Sequence, residues 1–434
     1  MLFKKSKGLR LFLMFSLLFV FTFSAVAQDD VVEIFSWWTA GGEEEALNAL
    51  IELFNEEYPD VEVINSTVAG GAGFNARRIL KTRMVAGNPP DSFQIHGGAE
   101  LIDTYVEIQI YSGSELVETY VEAGKMEPIT GLLEEWGVKD KFNQQILEMT
   151  AYQGEYYSIP VNVHRSNAMF YNIEVLAENN VEPPTDLASF KAALAKLDEA
   201  GVVPLALGDN NSWPASQLFE TLLAATLGPD AYNGLWNGET AADDPAIREA
   251  LVHFKDIMQY VNEDHSSLTW DEATKLVHDG EAGFNIMGDW AEGYLKTLGW
   301  TPGKEFGWMA VPGTAGSFIF ITDTFGLPKD APNPENAKKW LKIIASKEGQ
   351  DIFNPIKGSI PARLDADKSK YDPYLTASME DFANDSLAPS IVHGSAAPKG
   401  FVDAVDDTIN SFIITGDVDQ AFDNFQIIHE RYVK

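Results

Sequence analysis

The chain of 434 residues contains no cysteine. Disulfide bonds, thiolate metal sites and a lipid anchor on a cysteine at a processed N-terminus are therefore excluded. Beyond residue 27, no apolar run approaches the roughly 18 residues that a membrane-spanning helix needs. A chain of this length must then be stabilised by its hydrophobic core, and the length predicts two domains.

Basic side chains are scarce, since 31 Lys and Arg stand against 65 Asp and Glu, for a formal net charge of −34. Such a surface repels nucleic acid and anionic lipid, so neither is expected as a partner. The charge also disfavours an anionic substrate, unless the fold builds a local basic pocket. Acidity of this kind is typical of a soluble surface and does not by itself define a function.

The common enzyme motifs are missing as well. The seven histidines show neither His-x-His nor His-Glu-x-x-His spacing, so no metal is predicted. The glycine-rich stretch AGGAGFNARR at 69–78 lacks both the lysine of a phosphate-binding loop and the spacing of a dinucleotide site. There is no Gly-x-Ser-x-Gly nucleophile motif, and no cofactor is predicted. A secreted glycosidase stays open, because among 65 acids some pair can always suit glycoside hydrolysis.

The N-terminus has the composition of an export signal. Four basic residues precede an apolar run at 11–23, and the small residues AVA at 25–27 match a cleavage site. The sequence therefore predicts a cleaved signal peptide at 1–27 and a mature protein in the periplasm.

The next hundred residues predict a parallel sheet. Helical spacing of apolar residues alternates with short β-branched and aromatic runs. We expect strands at 31–38, 61–68 and 92–96, and helices at 43–58 and 76–85. The β-α-β-α-β order implies an α/β fold with helices on the faces of a parallel sheet.

Polar and aromatic residues cluster at the carboxyl ends of these strands, where such sheets bind ligands. Trp37 and Trp38 close the first strand, and Gln94 and His96 share one face of the third. Because neighbouring side chains of an extended segment point to opposite faces, one tryptophan is expected to be buried and the other to face a cleft.

The rest of the chain is helix-rich, and a second α/β sequence begins near residue 308. FNPIKGSIPARL, from residue 353, is predicted to be a loop, and the tail from residue 381 to be helical with one break. Proline-containing extended segments at 157–161, 309–314 and 358–362 are candidates for crossings between two lobes. ELIDTYVE at 100–107 recurs as ELVETYVE at 115–122, which predicts a small structural duplication at the surface.

Several tryptophans have the neighbours that a neutral sugar requires. A sugar ring offers C–H faces, which suit aromatic rings, and hydroxyl groups, which suit charged and amide groups. Of the ten tryptophans, Trp270 precedes two acids, and Trp290 follows an Asp. Three more candidates lie in segments typical of turns, namely Asp323, Lys357 and His393. Each of them alone is weak evidence for a sugar site.

Taken together, several segments resemble a known family. SWW, LIELFNEEYPDVEV, NARRILKTRM, VNVHRSN, FNIMGDWAEGY, SKEGQDIFNPIKGSIPARLD and VHGSAAP resemble the family 1 solute-binding proteins that serve bacterial ABC sugar importers. The likeness covers nearly all of the predicted mature chain and looks nearest to the monosaccharide (glucose/mannose/galactose) branch.

The resemblance implies a two-lobe type II periplasmic binding fold, with discontinuous lobes joined by a hinge of three crossings. One lobe would comprise 28–157 and 313–357, the other 158–312 and 358–434. The protein would be a monomeric receptor rather than an enzyme, closing on a glucose-type hexose and delivering it to the permease subunits of the transporter. A di- or oligosaccharide ligand and a metal- or phosphate-binding receptor are the alternatives within such a fold.

Carried over position by position, the resemblance also implies a ligand shell, namely Trp37, Trp38, Glu43, Gln94, His96, His164, Trp270, Trp290, Asp323, Lys357 and His393. The loop between Trp38 and Glu43 looks one residue longer than the family pattern, which leaves Glu43 and Glu44 as alternatives. The duplication at 100–122 is extra.

Overall fold

The structure, a computed structural model, describes residues 30–433 except 103, 104, 111, 112 and 119, and describes only the backbone of 105–110 and 113–118. The predicted signal peptide, residues 1–27, lies outside the described residues. Within the described part of the chain, no helix combines the length and the apolar character needed to cross a membrane.

The strands are short and lie in three main sheets and two small hairpins. In chain order they are β1 (Val31–Phe35), β2 (Glu62–Asn65), β3 (Ser92–His96), β4 (Tyr105–Ile110), β5 (Gly113–Glu118), β6 (Ala151–Tyr152), β7 (Glu155–Tyr156), β8 (Ser158–Pro160), β9 (His164–Arg165), β10 (Ala168–Asn172), β11 (Val203–Ala206), β12 (Ala282–Met287), β13 (Phe306–Ala310), β14 (Ser317–Ile321), β15 (Asp323–Gly326) and β16 (Ser386–Pro389).

Helices cover these sheets and fill the second half of the chain. They are α1 (Gly41–Glu57), α2 (Phe74–Val85), α3 (Ala99–Ile102), α4 (Thr130–Glu135), α5 (Gln144–Glu148), α6 (Ile173–Glu178), α7 (Leu187–Glu199), α8 (Trp213–Asn237), α9 (Pro245–Ile257), α10 (Trp270–His278), α11 (Trp290–Thr297), α12 (Pro334–Ala345), α13 (Lys347–Lys357), α14 (Pro373–Asn384), α15 (Lys399–Thr415) and α16 (Val418–Tyr432).

The first sheet has the strand order β2-β1-β3-β15-β8. β1 is parallel to β2 and β3, as the sequence predicts, whereas β15 runs antiparallel between β3 and β8. Leu47, Leu50 and Phe54 form the predicted apolar stripe of α1 and are completely buried. That stripe holds α1 against α12 and α13, so the start of α1 is fixed at the carboxyl edge of the sheet.

The second sheet has the order β11-β12-β10-β13 and belongs to the other lobe. Its apolar core contains Phe190, Phe219, Phe254 and Phe284, all buried. A third sheet, β16-β14-β9, lies along the connections. The chain passes from the first sheet to the second between β8 and β10 and returns between β13 and β15, and after α13 it leads to β16 of the third sheet. The predicted crossing segments lie at the first two passages and directly after α13.

Three sequence predictions need correction. The segment 353–357 is not a loop but the end of α13, which Ser346 caps at its start and Gly358 ends with φ 82°. Pro355 lies in the last turn, where it costs only one helical hydrogen bond. The tail is not simply helical, since β16 pairs with β14. Both tryptophans after β1 border the same pocket, because the strand ends at Phe35 and the alternation of side chains no longer holds beyond it.

The duplicated segment forms a β-hairpin in its middle. β4, which contains the end of the first copy, pairs antiparallel with β5 in the second, and Tyr105 lies opposite Glu118. The two copies therefore pair with each other at the backbone, and the structural role assigned to them stays a prediction.

Candidate functional site

A pocket with an empty volume of about 340 Å³ lies between the two larger sheets. Its walls come from both lobes and from the connections between them. It is lined by Trp37, Trp38, Glu43, Ala72, His96, His164, Trp213, Trp270, Trp290, Ile321, Asp323, Lys357 and His393.

All but one of the eleven predicted site residues line this pocket. The exception is Gln94, which lies behind the wall and holds three parts of it together. Its Nε2 donates to Oδ1 of Asp323 at 2.8 Å, and its Oε1 accepts from the Ser36 hydroxyl at 2.6 Å and from the Trp37 N–H at 3.2 Å. Gln94 is therefore placed to orient the site rather than to touch a ligand.

Asp323 begins β15 and is buried among hydrogen-bond donors. Besides Gln94, the side-chain amide of Asn162 donates to its Oδ2 at 2.8 Å. His96 Nε2 lies 3.5 Å from Oδ1, and His164 Nε2 lies 3.4 Å from Oδ2. Burial alone would raise the pKa of Asp323, but the hydrogen bond from His164 and the surrounding positive charges hold it well below its usual range.

His164 lies on β9 between two carboxylates. Its Nδ1 pairs with Asp289, and Asp289 also accepts from the Arg165 N–H at 2.9 Å. Burial and the charge of Lys357 oppose a proton on His164, but Asp289 and Asp323 outweigh them and raise the pKa of the ring. The Nε2 atom of His164 is buried and faces Oδ2 of Asp323 at 3.4 Å.

Lys357 joins α13 to the start of α1. Its Nζ donates to Oε1 of Glu43 at 2.9 Å, and it lies 5.9 Å from the ring centre of Trp38 and 5.8 Å from that of Trp290. Burial raises the pKa of Glu43, and Lys357 opposes that rise. Glu44 is exposed, so the structure places Glu43 and not Glu44 at the pocket.

His96 and His393 border the pocket edge to face, with ring centres 5.8 Å apart. Nδ1 of His96 lies 3.0 Å from Oε2 of Glu100, to which Arg77 also donates at 2.8 Å. Burial opposes ionisation of Glu100, but Arg77 and His96 lower its pKa to about 2. The Nε2 atom of His393 is buried and has no hydrogen-bond partner among the described residues.

Aromatic walls come mainly from the second lobe. Trp213 and Trp270 begin α8 and α10, and Trp290 begins α11, so all three lie at helix N-termini facing the first lobe. A Cβ on Gly71 of the first lobe would lie 2.9 Å from Cδ1 of Trp270, which shows how closely the lobes approach there.

Sequence reasoning missed Ala72, Trp213 and Ile321 as lining residues. The segment GDNNSWPAS around Trp213 does carry a signal, since a tryptophan that follows polar residues at a helix start is also the pattern around Trp290. Ala72, with φ 48°, lies in the glycine-rich loop, whose role was not predicted. Ile321 ends a buried strand and looks like an ordinary core residue.

The arrangement suits an uncharged polyol. The carboxylates of Asp323 and Glu43 lie beside the Lys357 ammonium group and the His164 ring, so groups of both signs face the space. Five indole rings supply apolar faces, and the buried Nε2 atom of His393 has no partner among the described residues. Among the described residues, no group of three or more His, Asp or Glu is arranged to hold a metal ion.

Two discontinuous lobes around a buried polar and aromatic pocket define the solute receptors of the type II periplasmic binding fold. Solved structures agree. AcbH, a bacterial solute receptor with a substrate preference for β-D-galactopyranose, superposes with a TM-score of 0.78 at 19% identity, over 93% of this chain and 98% of that one. A chitin oligosaccharide binding protein superposes with a TM-score of 0.77 at 22% identity, over 92% and 98%.

The chain belongs to the bacterial extracellular solute-binding protein family, whose profile matches residues 40–351. It is 40% identical over 394 residues to an uncharacterized ABC transporter extracellular-binding protein of Pyrococcus horikoshii, covering 90% of this chain and 85% of the relative. A probable sugar-binding periplasmic protein of Mesorhizobium japonicum is 31% identical over 91% of each chain. The glucose-binding protein GlcS of Saccharolobus solfataricus is 26% identical over 75% of this chain and 59% of its own.

These findings confirm the resemblance drawn from the motifs and the predicted two-lobe fold. The family consists of solute receptors, so the prediction that the chain is not an enzyme is confirmed at that level. The choice of ligand and the roles of the lining residues stay predictions.

Proposed function

We propose that this protein is the receptor of an ABC sugar importer and that it binds one monosaccharide of the glucose type in the pocket. The observation that carries the proposal is the pairing of five buried tryptophans with charged and imidazole groups, of which His393 presents a buried nitrogen atom without a partner among the described residues. Leaving that atom unpaired costs roughly 1–3 kcal/mol, a cost that a sugar hydroxyl would remove.

The close approach of the pocket walls favours a single ring. A Cβ on Gly71, beside Ala72, would lie 2.9 Å from Cδ1 of Trp270 across the space. Trp213 and Trp270 border the space on the second-lobe side, and the loop carrying Ala72 borders it on the first-lobe side. A longer saccharide would need this wall to open.

Binding would also couple to the hinge. The first lobe supplies Glu43, His96, Asp323 and Lys357, and the second supplies most of the indole rings. A ligand that contacts both sets is held best when the lobes are together, so it shifts the equilibrium toward the closed state.

The lobes are proposed to comprise 28–157 with 313–357 and 158–312 with 358–434. The pairing of β8 (Ser158–Pro160) in the first sheet lies just beyond the first of these boundaries. The protein would act as a periplasmic monomer after removal of residues 1–27, and the closed form would dock on the membrane permease.

Isothermal titration and thermal shift with glucose, galactose, mannose, xylose and maltose test the proposal. We expect one site per chain for a hexose and a rise in melting temperature, because a ligand held only by the folded state stabilises it. A clear preference for maltose would replace the monosaccharide by an oligosaccharide. Because the family consists of receptors, no new reducing ends should appear when the protein is incubated with sugar polymers.

A further inference from the structure

A buried carboxylate of the second lobe lies behind the pocket and outside its lining. Glu220, in α8, is completely buried. Its Oε1 accepts from the Tyr232 hydroxyl at 2.9 Å and from the Ile391 N–H, and its Oε2 lies 3.0 Å from Oγ of Ser390 and 3.4 Å from Oγ of Ser166. A carboxylate is retained in such a place only when its hydrogen bonds compensate for lost hydration.

One of these hydrogen bonds leads on to the pocket. Oγ of Ser390 lies 3.0 Å from Nδ1 of His393 and also accepts from the His393 N–H at 3.3 Å. The other ring nitrogen, Nε2, borders the pocket and has no partner among the described residues. Carboxylate, hydroxyl and imidazole thus form a chain that ends at the ligand site.

Once Glu220 is ionised, the positions of the protons in this series of hydrogen bonds are determined. An ionised carboxylate can only accept, so the Ser390 hydroxyl donates its single proton to Glu220. Toward His393 the hydroxyl oxygen can then only accept, which places the ring proton on Nδ1. Burial, with the charges of His96 and Arg77, holds the pKa of His393 well below its usual range, so the ring carries one proton and Nε2 is bare.

We propose that Glu220, acting through Ser390, fixes His393 in the tautomer protonated on Nδ1, so that Nε2 accepts a hydrogen bond from one hydroxyl of the ligand. Glu220 is then a positioning residue and His393 the ligand contact. The role of the hydroxyl rests on the proposed function, but the tautomer itself does not. An uncharged group at position 220 that donates to Ser390 reverses the direction of both hydrogen bonds, and Nε2 then carries the proton.

The reversal can also be driven by pH. Burial raises the pKa of Glu220 to about 7, against the hydrogen bonds from the Ile391 N–H, Tyr232 and Ser390. The titratable groups that face it are Tyr232 on its own helix, whose pKa is raised well above its usual value by burial and by Glu220, and His393 beyond Ser390. Both directions of the hydrogen bonds between Glu220, Ser390 and His393 are therefore populated near neutral pH.

The tautomer can be measured without a ligand. In protein labelled with ¹⁵N-histidine at pH 8, the ring nitrogens of His393, assigned with the variant His393→Gln, should show a bare Nε2. Glu220→Gln should move the proton to Nε2, because the amide donates to Ser390. Ser390→Ala should remove the preference between the two forms.

The consequence for binding is measured by titration with D-glucose. Glu220→Gln should weaken binding about tenfold, the size of one hydrogen bond, and Ser390→Ala, which leaves about half of the rings with a bare Nε2, about twofold. Both should abolish a rise in wild-type affinity between pH 6 and pH 8. Thr226→Ala is the matched control. Thr226 lies on the same helix, its hydroxyl lies 3.1 Å from the carbonyl oxygens of Leu222 and Leu223, and its loss should keep the affinity within about twofold.

A wild-type spectrum with the His393 proton on Nε2 at pH 8 would overturn the proposal, as would an unchanged tautomer in Glu220→Gln. If Glu220→Gln does not fold, the wild-type spectrum and Ser390→Ala decide the question. If D-glucose binds to no variant and not to the wild type, the proposed function is wrong, and the tautomer of the ligand-free protein still supports or overturns the positioning role.

Discussion

Replacing Lys357 by methionine tests the site most directly. The methionine keeps an unbranched apolar stem between Trp38 and Trp290 but removes the charge that lies 2.9 Å from Oε1 of Glu43. Lys357 is 1% exposed, so water cannot replace its hydrogen bonds. A hydrogen bond to a charged group contributes roughly 1.5–3 kcal/mol, which corresponds to roughly 10- to 100-fold weaker sugar binding.

The assay is isothermal titration at constant pH, with melting temperatures measured on the same samples. Lys347→Met is the matched control, because Lys347 begins the same helix but its side chain is about half exposed and pairs with Asp351 in the next turn, away from the pocket lining. The control should bind sugar like the wild type. Unchanged affinity in Lys357→Met, with the fold intact, would refute the assignment of Lys357 to the ligand.

The partner of Lys357 provides a second readout of the same change. Without the lysine, the buried Glu43 loses the charge that opposes the rise of its pKa, so Glu43 should become protonated more readily in the variant. The double variant Glu43→Gln with Lys357→Met removes the uncompensated carboxylate. It should recover thermal stability relative to Lys357→Met but should not recover sugar binding.

Three further predictions concern other parts of the molecule. Trp213→Ala should weaken sugar binding and reduce the change in tryptophan fluorescence on titration, and an undiminished change would exclude this ring from the site. Gly71→Val should weaken sugar binding about tenfold in a titration, because a Cβ there would lie 2.9 Å from Trp270. Gly131→Ala is the control and should leave binding unchanged, because, beyond its own helix, no atom of the described residues lies within 4 Å of a Cβ at that position. Between about pH 4.5 and 7 the folded state keeps a proton on Glu220 that the unfolded state releases. The free energy of unfolding should therefore fall as pH rises through this range, by up to about 3 kcal/mol. Denaturant unfolding should show a smaller fall for Glu220→Gln than for the wild type.

The sequence predicts much of the first lobe because its signals are local. Short apolar runs that alternate with helical spacing predicted the parallel strands. Aromatic and polar residues at the strand ends predicted Trp37 and His96 as site residues. Trp38 shows the limit of such reasoning, because strand alternation fails once the chain leaves the sheet after Phe35. The end of α13 shows another limit, since Pro355 suggested a loop although Ser346 and Gly358 mark the two helix ends.

Residues that act behind the pocket could not be predicted. Gln94 was expected to touch the ligand, and only the folded chain shows that its amide bonds to Ser36, Trp37 and Asp323 behind the pocket lining. Glu220 lies in a helix with no local sign of function, and its partner Ser390 is 170 residues away. Contacts at this separation depend on how distant parts of the chain come together within one lobe, which neither periodicity nor composition specifies.

The position of β15 has a consequence for how the protein is made. Thr324 on this strand pairs with Ile95 on one side and Pro160 on the other, so the middle of the first sheet is missing until nearly three quarters of the polypeptide has been synthesised. Closing so large a loop is entropically costly and slow. The N-terminal segment should therefore not fold as an independent unit. Chains that end before this strand should be degraded by proteases instead of forming a stable first lobe.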